Sequence, residues 1–213
     1  MRIFPLGDSA ATIEFGNEIS VELNEKSIAL TNHLTGAPFD GMVEAVPAYA
    51  SVTVYYEARK TSFTNVESFL NDASQKIDIG RQAKSRLIEI PIEISPEASP
   101  DLGRIAEFSG LDAETVIELF LSTTYRIYML GFLPGFAYMG GVDDRIAAPR
   151  LETPRTKVPA GSVGIAGKQT GIYPLESPGG WNIIGRTDLK MFDPTADQPC
   201  LLKPGDEVRF VRC

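Results

Sequence analysis

A chain of 213 residues with 43% hydrophobic and 23% charged residues has the composition of a packed globular protein, with room for one large domain or two small ones, which excludes a disordered chain. Its formal net charge of −8 argues against nucleic acid as a partner, because a polyanionic duplex would be repelled. Cys200 and Cys213 are too few for a disulfide framework or a Cys-rich metal site, no apolar run nears the roughly 18 residues of a membrane span, and MRIFPLGDSA lacks a signal-peptide shape, so a cytoplasmic chain with free thiols and no membrane partner is expected.

In chain order, Ala11, Ile13 and Phe15 alternate with Thr12 and Glu14, the period of a strand with one buried face. Ser20 then caps a predicted helix whose apolar stripe runs Ile19, Leu23, Ser27, Leu30, Leu34. Residues 46–56, rich in β-branched and aromatic side chains, read as one strand. Thr64 with Glu67 has the form of a capping box ahead of a helix facing inward through Val66, Phe69, Leu70, Ala73 and Ile77. Ile88, Ile90 and Ile92 make a further strand, and Pro91, which has no N–H to donate, assigns it to an edge or to a crossing between domains.

A β-α-β-α-β order over the first 85 to 90 residues predicts a ferredoxin-like α+β layer, with domains at 1–85 and 86–213. Residues 99–108 and 112–121 read as two short helices separated by Gly110. From Tyr125 the pattern changes: residues 131–187 hold 11 of the 19 glycines and 6 of the 15 prolines, which points to a compact mainly-β barrel of short strands and long loops. A Pro-Gly-Asp turn and a strand over residues 207–212 can close it.

Chemistry concentrates in the same stretch. Six basic residues (Arg145, Arg150, Arg155, Lys157, Lys168, Arg186) against four acidic ones make residues 131–187 carry +2, leaving −10 for the remainder. Guanidinium forks set among prolines suit a carboxylate or phosphate, although solvated loop arginines fit the same pattern. GSVGIAGKQTG lets backbone approach a ligand closely. It is no P-loop, because the template requires glycine where Ser162 stands and a hydroxyl where Gln169 stands; Lys168 remains a candidate phosphate contact.

Ser162 lacks the G-x-S-x-G elbow, and the single histidine, His33, falls near the end of the first helix, so a Ser-His-Asp hydrolase is not expected. One histidine and two cysteines leave no metal-ligand set. Phe132, Phe136, Tyr138, Tyr173 and Trp181 gather around the glycines as pocket lining, partner interface or barrel core.

The run YRIYMLGFLPGFAYMGG, followed by PRLETPRTKVPAGSVGIAGKQTGIYPLESPGGWNIIGRT, resembles the signature of the KipI family, which holds the B component of 5-oxoprolinase and is also called allophanate hydrolase subunit 1. PLGDSAATIEFG is similar to the family's N-terminus as well. The resemblance implies a ferredoxin-like N-terminal domain and a cyclophilin-like C-terminal barrel. It implies one part of a multi-subunit hydrolase, inactive alone, that works with a homologous C component and an A component on a small molecule, 5-oxoproline, using ATP with Mg²⁺ in the assembled complex and no tightly bound cofactor. Relatives that inhibit a sensor histidine kinase or form part of a urea carboxylase supply the alternatives. Carried over by motif, the catalytic candidates are Arg150, Arg155, Ser162 and Gln169 and the substrate or nucleotide candidates are Gly161, Tyr173, Gly180, Trp181 and Arg186, to which Lys168 is added as the candidate phosphate contact named above. The chain departs from the pattern at Phe120, where many members carry histidine.

Overall fold

The computed structural model describes residues 1–77 and 85–213, which fall into two compact units, Met1–Lys84 and Ser85–Cys213. The first contains β1 (Arg2–Pro5), β2 (Ala10–Glu14), α1 (Val21–Gly36), β3 (Met42–Pro47), β4 (Ser51–Tyr56) and α2 (Phe63–Lys76). Its four-stranded sheet has the order β1-β2-β4-β3 and is antiparallel throughout.

Ala11 and Ile13 of β2 are fully buried, as their alternation requires. Thr12, on the other face, is also covered and shares a hydrogen bond with Thr53 of β4 (2.9 Å). α1 begins where Ser20 Oγ accepts from Leu23 N at 3.2 Å. It buries Ser27, Leu30 and Leu34, while Ile19 precedes the helix and is exposed. α1 lies against β3 and β4, α2 against β1 and β2, and the helices touch each other, so both cover one face of the sheet.

Three expectations change here. The single strand expected over 46–56 is a hairpin, because Pro47 ends β3 and Ala48 N turns back onto Ser51 O (2.7 Å). α2 starts two residues before the expected capping box: Ser62, not Thr64, is the cap, accepting from Asn65 N at 3.4 Å. The strand expected to complete the first sheet belongs to the second unit. Its partner lies more than a hundred residues away, which local periodicity cannot reveal.

The second unit contains β5 (Leu87–Ile92), α3 (Leu102–Ser109), α4 (Ala113–Ser122), β6 (Thr124–Leu130), β7 (Ala137–Gly140), β8 (Arg155–Val158), β9 (Ser162–Ala166), β10 (Gln169–Ile172), β11 (Ser177–Gly179), β12 (Asn182–Arg186) and β13 (Glu207–Arg212). Seven strands form one mixed sheet of order β12-β9-β10-β7-β6-β13-β5, and β8 pairs with β11 separately. Among the described strands β5 and β13 alone run parallel, and Pro91-bearing β5 lies at one end of the strand order. Just past β5, Glu93 bridges Arg186 at the end of β12, so the first and last strands meet and the barrel is nearly closed. The C-terminal strand therefore sits inside the sheet, and the Glu93–Arg186 bridge makes the closure.

Gly110, in the left-handed region at φ +67°, ends α3, and Asp112 Oδ1 starts α4 by accepting from Thr115 N (2.9 Å). In the barrel core Phe120 stacks on Phe210 (5.0 Å between ring centroids) and leans on Tyr125 (5.1 Å), whose hydroxyl donates to Phe120 O at 2.8 Å. Among the described residues no helix is long and apolar enough to cross a membrane.

Candidate functional site

A cleft of about 330 Å³ opens beside the bridge that closes the barrel. β8 contributes Arg155 and Lys157, β9 its first residue Ser162, β12 its last residue Arg186, and the segment between β5 and α3 contributes Glu93 and Glu97. Charges of both signs thus line one cavity.

The floor depends on Gly161. Its φ is +81°, its N–H donates to Tyr173 O (2.7 Å), and its carbonyl accepts from Thr187 N (2.9 Å). A Cβ there would stand 2.0 Å from Thr187 O, so the close approach of the chain segments before β9 and after β12 excludes every other residue.

One wall depends on Asp101, which sequence reasoning did not single out. Asp101 is buried, and one of its carboxylate oxygens accepts from Arg155 Nη2 (2.5 Å) while the other accepts from Ile183 N (2.6 Å). Its own N–H donates to Ile183 O (3.1 Å). The start of α3 is therefore tied to β12, and the guanidinium of Arg155 is oriented by a partner with almost no freedom of its own. Asn182 supports the same strand by donating to Pro149 O (2.9 Å) and Ile165 O (3.1 Å) and accepting from Arg104 Nε (2.9 Å). No motif marks Asp101 in the sequence, and Asn182, although within the run that carries the family resemblance, has partners distant along the chain.

Of the candidates read from the sequence, the structure brings Arg155, Gly161, Ser162 and Arg186 together at the cleft. Arg150 does not line that cleft: it is exposed, with its guanidinium 5.8 Å from the ring of Trp181. Tyr173 and Trp181 are core residues, packed edge-on against Phe136 at 5.3 Å and 5.5 Å. Burial pushes the Tyr173 and Tyr138 phenols up, so both remain protonated at neutral pH and neither is a base. Gly180 fixes a loop by accepting from Leu151 N (2.7 Å).

Lys168 and Gln169 stand at the opposite end of the β9–β10 hairpin from Ser162. Lys168 pairs with Asp144 (2.7 Å) in solvent. GSVGIAGKQTG is thus strand–turn–strand, whereas a phosphate loop joins a strand to a helix. Ser162 is buried at the cleft floor, where its N–H donates to Pro159 O (3.3 Å), and no side-chain base is bonded to it among the described residues. His33 lies on α1 in the other unit. No group of His, Cys, Asp and Glu fit to hold a metal occurs among the described residues. Phe120 is a core residue and not a cleft residue.

Comparison with known proteins adds a family. Residues 1–202 match the carboxyltransferase domain, subdomain C and D. A protein of Bacillus subtilis (strain 168) named as the B component of 5-oxoprolinase is 41% identical over 221 residues, covering 99% of this chain and 92% of that protein. The crystal structure of TTHA0988 superposes with a TM-score of 0.84 at 38% identity, covering 96% of this chain; this chain spans 40% of it. Urea carboxylase of Kluyveromyces lactis, at 22% identity and a TM-score of 0.81, covers 99% of this chain, which spans 21% of that protein; this likeness concerns the fold alone.

Proposed function

The chain belongs to the family of carboxyltransferase domains, subdomain C and D, and from that premise we propose that it acts as the B component of a multi-subunit 5-oxoprolinase that opens 5-oxoproline to glutamate. The observation that carries the proposal is 41% identity, over 99% of the chain, to a protein of that name. On this reading the first unit is a ferredoxin-like domain, the second a cyclophilin-like barrel, and the working enzyme is a cytoplasmic assembly with a homologous C component and an A component.

The cleft supports a binding and stabilising role. A lactam carbonyl is unreactive, and ATP with Mg²⁺ supplies the driving force for its hydrolysis in the assembly. Developing negative charge then requires preorganised cations. Arg186, at the cleft, would hold the anionic oxygens of 5-oxoproline or of a phosphate, with Arg155 oriented beside it by Asp101. With no activated nucleophile at Ser162, the chain alone hydrolyses neither ATP nor 5-oxoproline.

Reconstitution with the C and A components tests this. Both activities appear in the complex and in no single chain. Arg155→Ala and Arg186→Ala each lower turnover by a factor of about 10 to 100, the effect of one lost charge-assisted hydrogen bond. Lys168→Ala at the far hairpin tip leaves it unchanged. An active Arg186→Ala complex, or a silent reconstituted assembly, overturns the proposal.

A further inference from the structure

Glu93 and Arg186 exchange two main-chain hydrogen bonds, Glu93 N to Arg186 O at 2.7 Å and Arg186 N to Glu93 O at 3.0 Å. Residues paired in this way face each other directly, with side chains on the same side of the sheet. Both side chains line the cleft. Opposite charges so placed would ordinarily close on each other, yet no ion pair joins them among the described residues. Glu93 Oε1 accepts instead from Ser95 Oγ at 2.8 Å.

The other cations of the cleft already have partners, Arg155 with Asp101 and Lys157 with Glu176. Glu97, further along the same segment, carries no ion pair among the described residues. Without an ion pair among the described residues there remain the Arg186 guanidinium on one side and the Glu93 and Glu97 carboxylates on the other. A purely anionic ligand matches only half of that pattern. A ligand with a carboxylate and a protonated amine matches all of it.

We infer that the cleft selects an open-chain amino acid, its carboxylate on Arg186 and its ammonium on Glu93 and Glu97, over the corresponding lactam. The inference rests on the reading of this cleft as the reaction's site and names which side of the reaction it recognises. Opening adds water across the lactam C–N bond: the carbonyl carbon gains the oxygen and becomes a carboxylate, and the nitrogen leaves as an amine that takes up a proton. The neutral lactam N–H thereby becomes the cation for which Glu93 and Glu97 provide partners.

Titration calorimetry on the purified full chain decides it, with L-glutamate, 5-oxoproline and glutarate, the last lacking only the amine. L-Glutamate is expected to bind at least about tenfold tighter than either, the discrimination of one charge-assisted contact. The Glu93→Gln, Glu97→Gln double variant, at two exposed positions, removes the preference over glutarate. Arg186→Gln weakens glutamate and glutarate alike. Equal binding of glutamate and glutarate, a preference that survives the double variant, or no binding of any of the three overturns the inference. Loss of turnover in the reconstituted complex with glutamate preference intact would instead count against the 5-oxoprolinase reading.

Discussion

Arg155 and Asp101, 54 residues apart, meet at 2.5 Å where α3 begins, and the same carboxylate also accepts the main-chain N–H of Ile183 at 2.6 Å. Removing the carboxylate leaves a buried N–H and a guanidinium unmatched together. Asp101→Ala should cost about 2 to 4 kcal/mol of stability, whereas Asp101→Asn, which keeps an acceptor, should cost roughly half as much. Urea unfolding with an unchanged slope and a lowered midpoint checks both. Equal stability of the Ala variant and the parent would show that Ile183 N finds another acceptor.

Two glycines with positive φ make predictions of different size. Gly161→Ala drives a Cβ into Thr187 O at 2.0 Å, and backbone cannot yield as a side chain can. Its cost should exceed about 2 kcal/mol and distort the cleft floor. Gly167, at φ +58° with nothing within 4 Å, carries only the left-handed penalty of about 1 to 2 kcal/mol on substitution by Ala, and Asn there should recover part of it. Thermal unfolding of the three variants ranks them.

Phe120→His tests whether the barrel core accepts the residue that the family resemblance implies for this position. The ring is fully buried against Tyr125 and Phe210, so the imidazole loses apolar contact and water at once, at a cost of roughly 2 to 4 kcal/mol. Burial holds such an imidazole below its ordinary value of about 6.5, so the unfolded chain binds the extra proton and stability falls further as pH drops below that value. Unfolding midpoints at pH 8 and pH 5 should therefore diverge in the variant more than in the parent.

At the short turn after β7, Arg145 donates to Asp143 through Nε (2.9 Å), Nη2 (2.7 Å) and its main-chain N–H (2.9 Å). The Arg145 side chain first, and its backbone second, hold the Asp143 carboxyl at about 2, against an ordinary 3.8. A depressed carboxyl contributes above its unfolded value and loses that contribution as pH falls through about 2. A carboxyl NMR titration should place Asp143 near that value and return it toward 3.8 in Arg145→Gln.

Helices with local signals were legible: Ser20, Gly110 and Asp112 mark their ends because a cap involves groups three or four residues apart. Pro91 narrowed β5 to an edge or a crossing between domains, since a missing N–H is a property of one residue, and the sheet order places it at an edge. The hairpin at Pro47 and the start of α2 at Ser62 were not legible, because neighbouring residues offer competing turns and caps and packing chooses between them.

What the sequence by itself determined was part of the inventory: the helices with local caps, that basic and glycine-rich chemistry gathers after residue 131, and which family pattern that stretch resembles. The tertiary structure decided the grouping. It set Arg155, Ser162 and Arg186 around one cleft, sent Lys168 and Gln169 to the far end of a hairpin, placed Tyr173 and Trp181 in the core, and added Asp101, Glu93 and Glu97 from a segment with no motif. The reason is physical: a strand carries residues only five apart roughly 17 Å from each other, while closing a barrel brings Glu93 and Arg186 into hydrogen-bond contact.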